Sequence, residues 1–313
     1  MLTRRTLAAA GAALAVSSFP ASGVRAAPLP DTPPGACDCH VHIIGPPNRY
    51  PMVADRAYTP PQSTVAQLLA LRQSLGLSRT VLIQPSFYGT DNRALLEALG
   101  QLNDTARGIA VLDPALSDAE LTALDKAGVR GIRLNIESGG GRDPREITGA
   151  LGAFARRLAP LGWHIQIYAA LAVIARVAPD VADLPVPVVF DHFGMPDAAL
   201  GPDQPGFPAL LELVRTGRVF VKLSAPYRIS KQPGYADVVP IARALIAAGP
   251  ERMVWASDWP HTDRAPGAAR TDISPFRMVD DPANLGLLAS WCPDPAGRRS
   301  ILATTPQQLY RFS

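Results

Sequence analysis

The chain has 313 residues, with 47% hydrophobic and 18% charged, enough apolar material for one large core or two average ones and too little charge for a disordered chain. Three of its 30 Lys and Arg residues (Arg4, Arg5 and Arg25) lie in the first 26 positions, which hold no acid, so the remainder balances 27 bases against 27 acids. That balance indicates neither a nucleic-acid face nor a membrane-binding patch.

Residues 1–26 begin basic, run apolar from Leu7 to Val16 and end in small residues. The pattern predicts a secretory signal, too short to span a bilayer stably, cleaved after Ala26. The Arg4-Arg5 pair, followed by Thr6-Leu7, predicts twin-arginine export to the periplasm or beyond. Residues 27–313 then form the mature domain. Its three cysteines (Cys37, Cys39 and Cys292) make no disulfide framework and are expected as buried thiols.

Past the proline-rich opening, short runs rich in Val and Ile alternate with longer stretches of helical spacing. The runs are ACDCHVH (36–42), RTVLIQP (79–85), RGIAVLDP (107–114) and VRGIRLN (129–135), then WHIQIYA (163–169), PVVFDHF (187–193), RVFVKLS (218–224) and RMVWASD (252–258). Between the first two, Ser63 is a plausible N-cap for a helix with Leu68, Leu71 and Leu75 on one face. Ser117 and Glu120 predict a capping box, and Gly128 the end of that helix. Further helices are expected over about 144–159, 207–216 and 235–248. Eight strands alternating with helices in one series predict a single-domain (β/α)₈ TIM barrel of the α/β class. No glycine-rich dinucleotide turn follows any strand, which disfavours a doubly wound sheet. The triple glycine at 139–141 lacks that spacing and reads as a loop. A two-lobed solute-binding protein would need two open sheets, and the single series supplies neither. The long loop from Thr262 to Asp281 is expected to be functional.

In such a barrel the active site lies at the C-terminal strand ends. His40, His42, His192 and His261 fall at or just beyond the ends of runs one, six and eight. Period-two alternation puts Asp38, His40 and His42 on one face. Asp258 ends an apolar strand, an expensive place for a carboxylate without a partner or a task, and is a general-base candidate. His164 starts its run, so it is expected at the opposite rim as a hydrogen-bonded structural residue. Arg133, Tyr168, Lys222, Arg228, Ser86, Tyr88 and His261 gather near the same mouth as candidate substrate-binding residues. Arginines there suit an anionic or polyhydroxylated small molecule.

The segments HVH, DHFG and WASDWPH, in that order, resemble the amidohydrolase superfamily over essentially the whole mature chain. IQPSFYGTDN, RGIRLN, WHIQIYA and FDHFGMPD are similar to its pyrone-dicarboxylate lactonase and sugar-lactonase group. The resemblance implies a hydrolase that opens a lactone. In it Asp258 activates water and later protonates the leaving oxygen, while His40, His42 and His192 polarise the carbonyl. Members usually hold one or two divalent metals on the HxH pair, on strands four to six and on the strand-eight aspartate. Here Arg133 and Tyr168 stand where ligands would be, so two metals are excluded and no cofactor is expected. A single zinc on His40, His42, His192 and Asp258 is the alternative. An aldaro-lactone isomerase and a zinc-dependent amidohydrolase or decarboxylase are the competing activities.

Overall fold

The computed structural model describes residues 32–136 and 144–313. The predicted signal and the triple glycine lie outside the described residues. Eight strands form one parallel sheet in sequential order: β1 (Cys37–Val41), β2 (Arg79–Ile83), β3 (Ala106–Ala110), β4 (Val129–Asn135), β5 (His164–Tyr168), β6 (Val188–Phe190), β7 (Val219–Ser224) and β8 (Met253–Ala256). Beyond β8 the chain returns to β1. The Asp258 amide donates to the His40 carbonyl (3.1 Å) and the His42 amide to that of Trp259 (2.9 Å), which nearly closes the barrel. Each strand lies in its predicted run except β3, which starts one residue earlier, because parallel strands buried on both faces read as near-continuous apolar segments.

The connections are helices α1 (Val65–Leu75), α2 (Arg93–Leu102), α3 (Asp118–Lys126), α4 (Pro144–Leu158), α5 (Leu171–Ala182), α6 (Phe207–Arg215) and α7 (Val238–Ala248), with short helices from Asp281 to Leu309 after β8. The Ser117–Glu120 capping box forms as predicted. At α1 the cap is Thr64, which makes a capping box with Gln67. Ser63 cannot serve, because its backbone pairs with Ile44 and its hydroxyl donates to the His42 carbonyl. Helices α2, α5, α6 and α7 each bury an apolar stripe. On α6 this is Phe207, Leu210, Leu213 and Val214, and truncating Leu210 to alanine should cost about 2–5 kcal/mol.

The barrel lumen has two levels. The lower holds Cys37, Cys39, Val81, Ile109, Val189, Phe220 and Val254, closed from below by Tyr310 and Phe312. All three cysteines are buried and free. His164 also lies in this level, with its ring 5.3 Å from that of Tyr310. It is buried, but neither ring nitrogen has a hydrogen-bond partner among the described residues, contrary to the expectation of a bonded rim histidine. Its neighbour on β4 is Gly131, where a Cβ would come within 2.6 Å of the His164 carbonyl and 2.9 Å of its Nε2. Only glycine leaves room for this ring.

Strict alternation also fails in β1. The pairing register shifts between Asp38 and Val41, so Cys37 and Cys39 join the lumen. Asp38 instead accepts from the Ser257 amide and hydroxyl (3.0 and 2.5 Å). Burial first of all lifts its carboxyl to about 6, against those hydrogen bonds.

Candidate active site

The upper level is polar. It forms the floor of a cavity of about 190 Å³ whose wall includes His42, Ser86, Arg133, Tyr168, His192, Arg228 and Asp258. Two loops complete it: Ala57 and Tyr58 on one side, Thr262, Asp263 and Arg264 on the other. Tyr58 donates to the Thr262 hydroxyl (2.9 Å) and the Ser274 amide to the Thr59 carbonyl (2.8 Å), so the long loop after β8 is tied over the mouth.

Asp258 is the centre of the arrangement. Its backbone is left-handed (φ 66°), as are those of His192 (φ 49°) and His261 (φ 67°). Such strain at non-glycine positions is tolerated where surrounding structure enforces it, and it collects at functional sites. Oδ2 accepts from Arg228 Nε and Nη2 (2.8 and 2.6 Å) and from Tyr227 (2.8 Å). Oδ1 faces His40 Nε2 at 3.6 Å and His192 Nε2 at 3.9 Å. Burial would raise this carboxyl, but Arg228, then His192, His40 and His42, hold it far below the usual range. It is ionised at neutral pH, with one oxygen held and one free.

The three histidines share a plan in which the far nitrogen is engaged and Nε2 is turned inward. His42 Nδ1 is 2.8 Å from the Ile83 carbonyl, which can only accept, so the proton is on Nδ1. Burial, then Arg133, lowers this ring to about 4, leaving it neutral with Nε2 as an acceptor. The expectation that all three rings donate to a carbonyl therefore fails at His42. His192 Nδ1 meets the Ser224 hydroxyl (2.9 Å), which rotates to either role, and burial brings this ring to about 4 as well. His40 Nδ1 meets Lys222 Nζ at 3.3 Å and Asp191 Oδ1 at 3.3 Å. Burial, then Lys222, pushes its pKa well down.

Beneath the floor lies a buried polar layer. Lys222 donates to Gln166 Oε1 (2.7 Å) and sits 3.4 Å from Asp191 Oδ1. Asp191 Oδ2 takes Gln166 Nε2 (3.0 Å) and Arg133 Nη2 (3.4 Å). Burial would raise Asp191, but Lys222 first and then His40 keep it well below its ordinary value.

Four expected site residues are off the cavity wall. His40 is fully buried just below it. Lys222 is fully buried in the layer beneath, because its β7 position lies one step below Ser224, so it cannot contact substrate. Tyr88 is buried, and its hydroxyl accepts from the Gly45 amide (3.1 Å), because the short turn Ser86–Tyr88 turns it away from Ser86. His261 stands behind Asp258, with Nδ1 3.2 Å from Tyr227 Oη and Nε2 3.1 Å from Asp281. Asp191, Gln166, Tyr227, Tyr58 and Arg264 were not expected. A polar Gln166 within WHIQIYA, two residues before Tyr168, was a readable signal; Tyr58 and Arg264 come from loops and had none.

Among the described residues, two triads could hold a metal ion: His40, His42 and Asp258, or His40, Asp191 and His192. Strands four and five place Arg133 and Tyr168 beside them, with the guanidinium 5.5 Å over the phenol ring.

The amidohydrolase family model matches residues 37–312. The chain is similar to a 2-pyrone-4,6-dicarboxylate hydrolase of Comamonas testosteroni, with 35% identity over 89% of this chain and 90% of the relative. It is 34% identical to a 4-sulfomuconolactone hydrolase of Hydrogenophaga intermedia, over 89% of each chain. Among solved structures, a candidate 2-pyrone-4,6-dicarboxylic acid hydrolase from Pseudomonas putida superposes with a TM-score of 0.76 at 32% identity, over 89% of this chain and 98% of that one.

Proposed function

The chain belongs to the amidohydrolase family, and from that premise we propose that it hydrolyses a lactone of a carboxylated or polyhydroxylated small molecule at the cavity above Asp258. One observation carries the residue assignment. Asp258 Oδ1 faces His40 Nε2 and His192 Nε2 across 3.6 and 3.9 Å, too far for direct hydrogen bonds, so the carboxylate oxygen and the two ring nitrogens are left to meet a molecule placed above them.

In this reading Asp258 Oδ1 and the His42 Nε2 lone pair orient a water. Attack on the ring carbonyl passes the water proton to Asp258. His40 and His192 donate to the carbonyl oxygen as it becomes negative, with Arg133 adding a fixed positive charge. When the ring C–O bond breaks, Asp258 returns the proton to the leaving oxygen, so the products are a carboxylic acid and an enol or alcohol. Arg228 is released from Asp258 Oδ2 as a substrate anion draws it, which makes Asp258 a stronger base when substrate is present. Arg133, Tyr168, Ser86 and Arg264 hold substrate oxygens.

No resident metal is part of the proposal. Around the two triads the carboxylates of Asp191 and Asp258 are already paired with the buried Arg133 and Lys222 and the part-buried Arg228, so a dication would add to local positive charge. The residues present therefore do not suit one. The isomerase reading is weaker, because the relatives at 34–35% identity named above are lactone hydrolases. Export by the twin-arginine route belongs to the same proposal and rests on residues 1–26. Fused to a reporter, that segment should deliver it to the periplasm, and Arg4→Lys with Arg5→Lys should abolish delivery.

The test is a lactone panel with anionic members, assayed with metal analysis. We expect turnover by the untreated and the chelator-treated protein alike. Asp258→Asn should lose about 10²–10⁴-fold in kcat. Full activity in that variant, or stoichiometric zinc whose removal stops turnover, overturns the respective assignment.

A further inference from the structure

His40 belongs to both triads able to hold an ion, so its proton decides what the site is. A ring with the proton on Nδ1 offers a lone pair at Nε2 and acts as a ligand or acceptor; with the proton on Nε2 it is a donor. Two buried groups compete for Nδ1. Asp191 Oδ1, at 3.3 Å, calls for a proton there, whereas Lys222 Nζ, also at 3.3 Å, calls for a lone pair.

Counting donors settles the competition. An ammonium has three hydrogens and accepts nothing. Lys222 is fully buried, and three polar atoms face it: Gln166 Oε1 at 2.7 Å, His40 Nδ1 at 3.3 Å and Asp191 Oδ1 at 3.4 Å. Gln166 Oε1 takes one hydrogen and Asp191 Oδ1 pairs with the charge without a hydrogen bond of good geometry among the described residues, so the hydrogen aimed at His40 Nδ1 is used only if that nitrogen accepts. A proton on Nδ1 would leave an ammonium hydrogen unpaired away from water, which is costlier for a charged donor than for a neutral one. The Gln166 amide fits the same count, since its oxygen takes Lys222 and its nitrogen donates to Asp191 Oδ2 at 3.0 Å. Nε2 of His40 has no hydrogen-bond partner among the described residues, which leaves it for a bound molecule.

We propose that Lys222 is a positioning residue whose ammonium donates to His40 Nδ1, holds the ring proton on Nε2, and so makes His40 a hydrogen-bond donor to the substrate and a poor metal ligand. The consequence for catalysis rests on the lactone-hydrolase reading; the tautomer does not, and is measured without substrate.

The decisive measurement is the ring ¹⁵N spectrum of the full-length protein, with His40 assigned by difference against His40→Gln. We expect a protonated Nε2 and an unprotonated Nδ1; a proton on Nδ1 overturns the proposal whatever any variant does. In Lys222→Met the proton should move to Nδ1, toward Asp191. That variant should retain about one zinc per chain after incubation with zinc chloride and desalting, where the parent retains none. Its kcat should fall by about 10²–10³-fold, the effect of one lost oxyanion donor, with KM within a few-fold. An unchanged tautomer in Lys222→Met also overturns the proposal. A protein with the expected tautomer that turns over no lactone instead counts against the lactone reading.

Discussion

The two levels of the barrel lumen hold the same side chain under the same burial and put it to different use. His164 sits in the lower level against Tyr310, with neither ring nitrogen bonded among the described residues, and burial brings it down to about 3. His42 and His192 in the upper level are buried as deeply and lie at about 4. Burial therefore does not distinguish a site from a core. What differs is the partner on the far nitrogen. A backbone carbonyl, a serine hydroxyl and a lysine hold His42, His192 and His40, and His40 and His192 turn Nε2 toward the same carboxylate. A histidine held at one nitrogen presents the other in a defined direction and role; one held at neither only fills space.

That contrast can be tested from its strong end to its weak one. His40→Gln or His192→Gln should lower kcat by about 10²–10³-fold with little change in stability. A loss confined to KM would show that the ring binds substrate without acting on the transition state. Arg133→Gln should act mainly on affinity for an anionic lactone. We expect KM to rise about 10–100-fold, the worth of one charged hydrogen bond, with a smaller effect on an uncharged lactone of the same ring.

The smallest effect on activity is expected at His164. His164→Leu should leave kcat within about two-fold, and its signature is in stability against pH. The folded ring titrates near 3 and an unfolded one near 6.5, so the folded chain binds fewer protons between those values. Its contribution is complete above about pH 6.5 and is lost as pH falls toward 3, by at most about 1.4 kcal/mol per pH unit. Denaturant melts at pH 7 and pH 5 should show a smaller acid loss in the variant than in the parent. Asp38 works the other way. Its folded carboxyl is raised to about 6, so its contribution declines as pH rises from about 4 to 6. The difference between the two proteins, rather than either slope alone, is the quantity to compare. Equal losses would mean that His164 is not held neutral by burial.

Much of this was legible in the sequence. Buried parallel strands read as apolar runs, so all eight were found near their observed bounds. Seven of the eleven expected site residues line the cavity because strand ends in a barrel converge whatever their separation along the chain. Residues that failed did so for local reasons. A shifted register in β1 sent Asp38 to Ser257, a short turn carried Tyr88 away from Ser86, and one step down β7 put Lys222 beneath the floor instead of on it.

The sequence by itself determined the fold, the end of the barrel that carries the chemistry, and the set of histidines and the aspartate gathered there, because periodicity and strand ends are properties of residue order. It could not determine which nitrogen of each ring is protonated, that Arg228 lies on Asp258, or that Asp191, Gln166 and Lys222 form a layer below. Those depend on contacts between β1, β5, β6 and β7, up to 182 positions apart, whose hydrogen-bond counts exist only once the barrel has closed and water has left its centre.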